Sequence, residues 1–291
     1  MTIKIILILL AVIIIACIAV IYHDMTHFVV REYEIHSDKI AKDAVFCLLS
    51  DLHEKDYGDG NSKLVEAINE INPDIVLMSG DMITGHNKHH SLNAGPALKL
   101  ISKIIDKYPV YAANGNHEYK TSILEGRGSE LYREYDKALT DLGVNMLHNI
   151  GTYLEEFNME IHGLETSYEY YRKFFKAKMD PSYIIDFFGV PCSERFQLLI
   201  AHNPVYFEEY CEWGADLTVS GHVHGGIARV PLLGGVLSPA LMLFPKYDGG
   251  LFKNGDKYMV LSRGLGMHTV PIRFNNPGEL CVIRVYSDKK K

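Results

Sequence analysis

Apolar positions along this chain fall into three textures. Residues 5–22 carry no charge, a run of about 18 positions that just reaches the length needed to span a bilayer. From residue 44 onward, short apolar runs alternate with amphipathic stretches. Residues 44–50, 75–79, 110–113, 196–201 and 217–220 are apolar runs of strand length and predict buried strands. Between them, 61–72 places Leu64, Val65, Ile68 and Ile71 at helical spacing. Residues 97–107 do the same with Leu98, Ile101, Ile104 and Ile105. Residues 130–142 predict a helix stopped by Gly143, and 206–213 predict another. Residues 152–155 and 159–164 read as a hairpin about Asn158, and 257–286 as two further strands. The third texture, 165–188, is aromatic and charged (Tyr168, Tyr170, Tyr171, Phe174, Phe175). It reads either as a helical insertion packed on the core or as a cap beside a substrate site.

Strand, loop and helix in repeated succession predict an α/β fold with a largely parallel sheet, and the strand-rich second half predicts a second sheet packed on the first. The chain divides into an N-terminal anchor (1–23), a polar stalk or first edge strand (24–43) and one domain (44–288), with a divergent, cap-like stretch at 165–194. For the N-terminal run, a membrane anchor ranks ahead of a cleaved signal peptide, because the apolar region is long and no small-x-small site follows it. A lipoprotein signal ranks last, because the residues after Cys17 stay apolar. Lys4 precedes the run while Arg31, Lys39 and Lys42 follow it, a count that does not favour an outward domain. Signal anchors of this shape nonetheless place their domain outside, and the reading leans to the extracytoplasmic side of a single-pass protein.

The 291 residues suffice for one large domain, and 47% hydrophobic residues supply a core. The net charge of −7 offers no global field for nucleic acid, so no nucleic-acid partner is expected. A negative protein acting on a negative substrate needs a local positive source, and metal ions can be that source. Five scattered cysteines form no CxxC pair and leave the redox compartment open.

Candidate chemistry follows the strands. After 44–50 comes Asp51-Leu52-His53; after 75–79, Gly80-Asp81; after 110–113, Gly115-Asn116-His117-Glu118. After 196–201 comes His202-Asn203-Pro204, and after 217–220, Gly221-His222-Val223-His224. The carboxyl ends of strands are where open α/β sheets bind ligands. Imidazole and carboxylate donors suit Mn, Fe, Zn or Ni, and no cysteine lies close enough to make a structural thiolate zinc site. Each piece alone has an ordinary explanation, such as a turn, a cap or a surface histidine. Their conjunction, in this order and each after a strand, is far more specific.

These five blocks resemble the calcineurin-like metallophosphoesterases, whose pattern is D-x-H, G-D, G-N-H-[DE], a lone H, then G-H-x-H. Ser262-Arg263-Gly264-Leu265-Gly266, Arg273 and Asn276-Pro277-Gly278-Glu279 further resemble a small membrane-associated bacterial subgroup. The resemblance implies a four-layer αββα sandwich and a centre of two divalent ions. It implies that Asp51, His53 and His224 hold the first ion, that Asn116, His202 and His222 hold the second, and that Asp81 bridges them. His117 would face the substrate as the catalytic residue and not as a ligand. A metal-bridging hydroxide would then attack a phosphomonoester, phosphodiester or pyrophosphate, with His117 stabilising charge or protonating the leaving group.

Other residues keep two readings. Glu118 orients His117 or is a helix-start carboxylate. Arg263 reaches a substrate phosphate or forms a structural ion pair. Asn203 and Pro204 shape a loop; His86, His89 and His90 read as surface; His162 and His268 read as non-ligands. The anchor makes a lipid-linked or cell-envelope phosphate a natural substrate class, and oligomeric state stays open. Two rivals remain: a non-catalytic, metal-stabilised membrane scaffold, and a binuclear amidohydrolase. The latter is disfavoured because it puts His-x-His early and Asp late, the reverse of the order here.

Overall fold

The N-terminal apolar run forms one helix, α1 (Thr2–Thr26), in a computed structural model that describes residues 2–85, 92–172, 176–230, 233–236, 243–267, 270 and 272–289. Its apolar side chains are exposed along nearly the whole length, and it is long and apolar enough to cross a membrane. The chain continues directly into β1 (Phe28–Ser37) and β2 (Ala44–Leu49). Then come α2 (Ser62–Ile71), β3 (Ile75–Met78), α3 (Gly95–Ile104), β4 (Val110–Ala112), α4 (Asn116–Ser122), α5 (Arg127–Leu142) and β5 (Asn145–Met146). The second half holds β6 (Gly151–Leu154), β7 (Met159–Leu164), α6 (Ser182–Phe188), β8 (Phe196–Ala201), α7 (Phe207–Trp213) and β9 (Leu217–Ser220). A small ribbon of β10 (Arg229–Val230) and β11 (Gly234–Gly235) precedes β12 (Gly250–Asn254), β13 (Lys257–Leu261) and β14 (Gly278–Ser287).

Two six-stranded sheets result, in the orders β1-β14-β2-β3-β4-β5 and β12-β13-β9-β8-β7-β6. In the first, β2 through β5 run parallel. In the second, β13, β9, β8 and β7 run parallel, with antiparallel strands at both edges. Side-chain alternation explains the layering. Phe46 and Leu48 of β2 face the second sheet, joining Ile161, Leu198, Ile200 and Val219 in one buried cluster. Cys47 and Leu49 face the other way, onto Leu64 and Ile68 of α2, Leu100, Ile101 and Ile104 of α3, and Leu139 of α5. On the far side, Leu199 and Ala201 of β8 pack on Ile184 of α6 and Tyr210 and Trp213 of α7. Helices, sheet, sheet, helices: this is the four-layer αββα arrangement.

The structure sharpens several expectations. The candidate loops follow parallel strands of two sheets, β2, β3 and β4 in one and β8 and β9 in the other, so the site lies where two sheet rims meet. Residues 165–188 are not one continuous helix. They contain a 3-10 turn at Tyr168–Tyr171 and the seven-residue α6, with 173–175, including Phe174 and Phe175, outside the described residues. Of the two readings of 24–43, the edge strand is realised: β1 is an edge strand, paired along its whole length with β14.

Candidate metal centre

Backbone conformation aims the candidate side chains inward. Asp51, His53, Asp81, His222 and His224 all have positive φ, between 45° and 74°. Non-glycine residues avoid this region, at a cost of order 1–3 kcal/mol each, so such a cluster marks a place where the surrounding structure enforces geometry for a purpose. Gly80, at φ 96°, leaves room for the backbone of Gly115, and Gly221 leaves room for the carboxylate of Asp51.

Asp51 and Asp81 are fully buried. Around them, His53 Nε2 lies 3.9 Å from Asp51 Oδ1 and 3.8 Å from Asp81 Oδ2. His202 Nε2 lies 3.8 Å from Asp51 Oδ1 and 3.0 Å from Asp81 Oδ2, and His224 Nε2 lies 3.4 Å from Asp51 Oδ1. The rings of His202 and His222 meet edge to face at 5.3 Å between centroids. Three groups bring their donor atoms within 4.8 Å of one another: Asp51, His53 and His224; Asp81, His202 and His222; and His53, Asp81 and His117. Asp81 and His53 therefore each belong to two groups. Asn116, the first residue of α4, has a buried Oδ1 that accepts no hydrogen bond among the described residues.

Neighbouring groups set tautomers and charge. His202 Nδ1 sits 2.6 Å from the Ser79 carbonyl, an acceptor only, so Nδ1 carries the proton and donates. A neutral imidazole so placed turns its Nε2 lone pair toward the Asp81 carboxylate. A cation shared by the two acceptors, or a second ring proton donated from Nε2 to Asp81, satisfies both. Burial disfavours the imidazolium, yet the carboxylates, Asp81 foremost, override it and push His202 up to about 9. Asp51 is pushed up to about 6 by burial, then eased down by His202. Asp51 also accepts from Ser50 Oγ at 2.5 Å and from the His222 N–H at 3.0 Å. Two sequestered carboxylates ringed by imidazoles fit the charge and donor type of divalent transition ions.

His117 is held differently. The Gly85 N–H donates to its Nδ1 at 3.0 Å, so in the neutral ring the proton resides on Nε2. Its own backbone N–H donates to Asp81 Oδ1 at 2.8 Å. Glu118, buried, faces backbone and not substrate space. Its two oxygens accept N–H groups from Asp81 at 2.8 Å, Met82 at 2.7 Å, Ile83 at 3.3 Å and Gly115 at 3.1 Å. Burial pushes this carboxyl up to about 8, while four donors on its oxygens favour the ionised form. Glu118 thus ties the Asp81 loop to the start of α4. Arg263 Nε lies 3.2 Å from buried Glu279.

Three contributors carry no periodic signal in the sequence. Tyr171 packs edge-on against His222 at 5.1 Å, which brings the aromatic 165–194 stretch to the centre. Thr84 Oγ1 lies 3.2 Å from His53 Nδ1. Asn276 donates to the His224 carbonyl at 2.7 Å. Other candidates sit elsewhere or do other work. Asn203 braces its loop through Val205 N–H and the Tyr170 carbonyl. His162 bonds Gln197 at 3.0 Å, away from the centre. His86, His89, His90 and His268 lie outside the described residues.

Comparison with known proteins places these observations in context. The family model for calcineurin-like phosphoesterases matches residues 44–226. An uncharacterized metallophosphoesterase of Bacillus subtilis, YkuE, is 27% identical over 82% of this chain and 77% of its own length. A phosphodiesterase of Escherichia coli, YaeI, is 27% identical over 68% of this chain and 65% of its own length. A transmembrane protein with a metallophosphoesterase domain from Danio rerio is 26% identical over 80% of this chain and 51% of its own length. The chain thus spans less than two thirds of the second and third of these relatives.

Proposed function

Because the chain belongs to the calcineurin-like phosphoesterase family, we propose that it hydrolyses a phosphate ester at a centre of two divalent ions, Mn, Fe, Zn or Ni. Asp51, His53 and His224 would hold one ion, Asn116, His202 and His222 the other, and Asp81 both. The observation that carries this reading is the pair of fully buried carboxylates, Asp51 and Asp81, ringed by histidines where the parallel strands of both sheets end. Bound ions would supply Lewis-acid polarisation of a phosphoryl oxygen and a water-derived nucleophile at neutral pH.

The chain's own residues do the rest. The Ser79 carbonyl fixes the His202 tautomer, and the Ser50 hydroxyl with the His222 N–H fixes the Asp51 carboxylate. Glu118 holds the Asp81 loop against α4. His117, with its proton on Nε2, offers a hydrogen-bond donor to a phosphate oxygen or to the leaving oxygen as charge builds there. Tyr171, packed edge-on against His222, would shield that ring from water. The phosphodiesterase among the relatives makes a diester the first class to assay. A membrane or cell-envelope substrate, and an extracytoplasmic site, fit the apolar α1.

Full-length protein in detergent should hydrolyse bis(p-nitrophenyl) phosphate with Mn²⁺, lose the activity to EDTA and regain it with added metal. No turnover of diester or monoester with Mn²⁺, Fe²⁺, Zn²⁺ or Ni²⁺ would sink the enzyme reading and favour a metal-stabilised scaffold.

A further inference from the structure

The membrane helix and the metal-bearing rim meet at one end of the molecule. Asp24, near the end of α1, is buried, and its Oδ2 accepts the Asn276 N–H at 2.8 Å. The Asn276 carboxamide donates to the carbonyls of His224 and Gly226, each at 2.7 Å. Lys55, two residues past His53, donates to the Met25 carbonyl at 2.7 Å. The end of α1 is therefore hydrogen-bonded into the same loops that carry His53 and His224.

Beyond Gly226, backbone hydrogen bonds tie further described residues to that junction. Phe274 N–H donates to the Ile227 carbonyl at 3.2 Å, and Ala228 bridges Phe274. The Val236 N–H donates to the Ala228 carbonyl at 2.9 Å, and the Phe244 N–H to the Val236 carbonyl at 3.0 Å. Side chains that point outward on this path are large and apolar: Leu233 is 65% exposed, Leu243 69% and Phe244 57%, with Val230 and Ile272 also exposed. Residues 230–245 contain no charged side chain, in a protein whose charged share is 22%. Isolated exposed apolar residues are ordinary; an uncharged run of this length with several of them is not. Water does not favour such a surface, and α1, apolar enough to cross a bilayer, ends at the Asn276 junction that also holds Gly226.

We propose that the exposed apolar side chains of Val230, Leu233, Leu243, Phe244 and Ile272 form a membrane-inserting surface that lies in the lipid headgroup–acyl boundary. Apolar loop and helix together give two points of attachment, and two fix an orientation where one helix leaves a domain free to tumble. The surface sets the His53 and His224 loops at the level of the headgroups. In that respect it extends the phosphoesterase reading, and rests on it, by assigning a phosphate ester presented at the bilayer surface as the substrate class. The occupant is lipid and not a second protein because Asn276 joins the end of α1, a helix apolar enough to cross a bilayer, to Gly226, from which this segment leads.

Tryptophan fluorescence in the full-length protein tests this without reference to catalysis. Phe244→Trp and, separately, Leu243→Trp are reconstituted into phosphatidylcholine bilayers with or without bromine on the upper acyl carbons. Val190→Trp, at an 83%-exposed position before β8 and so at the opposite pole, is the control, and the native Trp213 is the common background. Each rim variant should emit blue-shifted light and lose roughly half of its added signal to brominated lipid, as expected for a ring at the headgroup–acyl boundary. Val190→Trp should lose none. Rim signals as insensitive to bromine as Val190→Trp would overturn the proposal, as would blue-shifted but unquenched signals, which indicate cover by protein. Either failure leaves Mn²⁺-dependent hydrolysis of the soluble diester as a separate result.

Discussion

His117 stands among the metal-site histidines, yet a backbone N–H occupies its Nδ1, whereas the Nδ1 of His202 donates to a carbonyl. That difference separates a ring that offers an N–H donor from one that offers a lone pair. His117→Ala should therefore retain both ions but lose on the order of 10²–10⁴ in rate. Elemental analysis beside steady-state kinetics checks this, and an unchanged rate would remove His117 from the mechanism. Gly221 makes a complementary point about space. A methyl group there would overlap Ser50 Oγ and Asp51 Oδ2. Gly221→Ala should displace the Asp51 carboxylate and cost about 10²-fold in kcat/KM, the scale of a misplacement near 1 Å. A variant with the wild-type rate would show that the Asp51 position is not critical. At this scale the candidate donors were legible because each follows a strand in a short motif. For Glu118 the helix-start reading holds through the Gly115 N–H, while its grip on the Asp81 loop was not legible, because those partners are backbone N–H groups that any residue could supply. Tyr171 was hidden for another reason: it is one of several aromatics in a stretch without period.

Elements are joined at the site by polar clamps, of which His148 is the clearest. Its Nε2 lies 2.9 Å from Asp136 on α5, and its Nδ1 2.7 Å from Glu165 just past β7. Glu165 in turn accepts the Asn114 N–H that precedes the Asn116 loop. Hydrogen bonds to Asp136 and then Glu165 raise His148 from 6.5 to about 10. A raised pKa means that the folded state binds the proton more tightly. The stabilisation is then fully present below about pH 6.5 and is lost as pH rises toward 10. The side chain is 39% exposed, so solvent screening limits the effect to roughly 1 kcal/mol. His148→Gln should lower Tm by about 2–4 °C at pH 6, with the gap closing by pH 10. An equal deficit at both pH values would remove the charged clamp. Element boundaries show what pattern reading can see. β8 and β9 were legible to the residue because every position is buried and none carries a charge. α4 was not, since Asn116–Ser122 has no apolar stripe and is started by the Glu118–Gly115 hydrogen bond. β12 was missed because its residues are half-exposed or exposed.

In the whole molecule, two mixed sheets share one core and bring their parallel strand ends to a single rim, beside which the apolar helix α1 ends. Alternation of buried positions made the layers legible. The convergence of two sheets on one site was not legible, since it depends on which faces of the sheets meet. The central claim is that the rim holds a pair of ions bridged by Asp81. Quantitative elemental analysis of the full-length protein and of Asp81→Ala addresses it most directly. Two divalent transition ions per chain in the wild type, and at most one together with lost activity in Asp81→Ala, are the predicted result. Wild-type protein devoid of transition metal after growth in metal-replete medium, or Asp81→Ala still carrying two ions per chain, would contradict it.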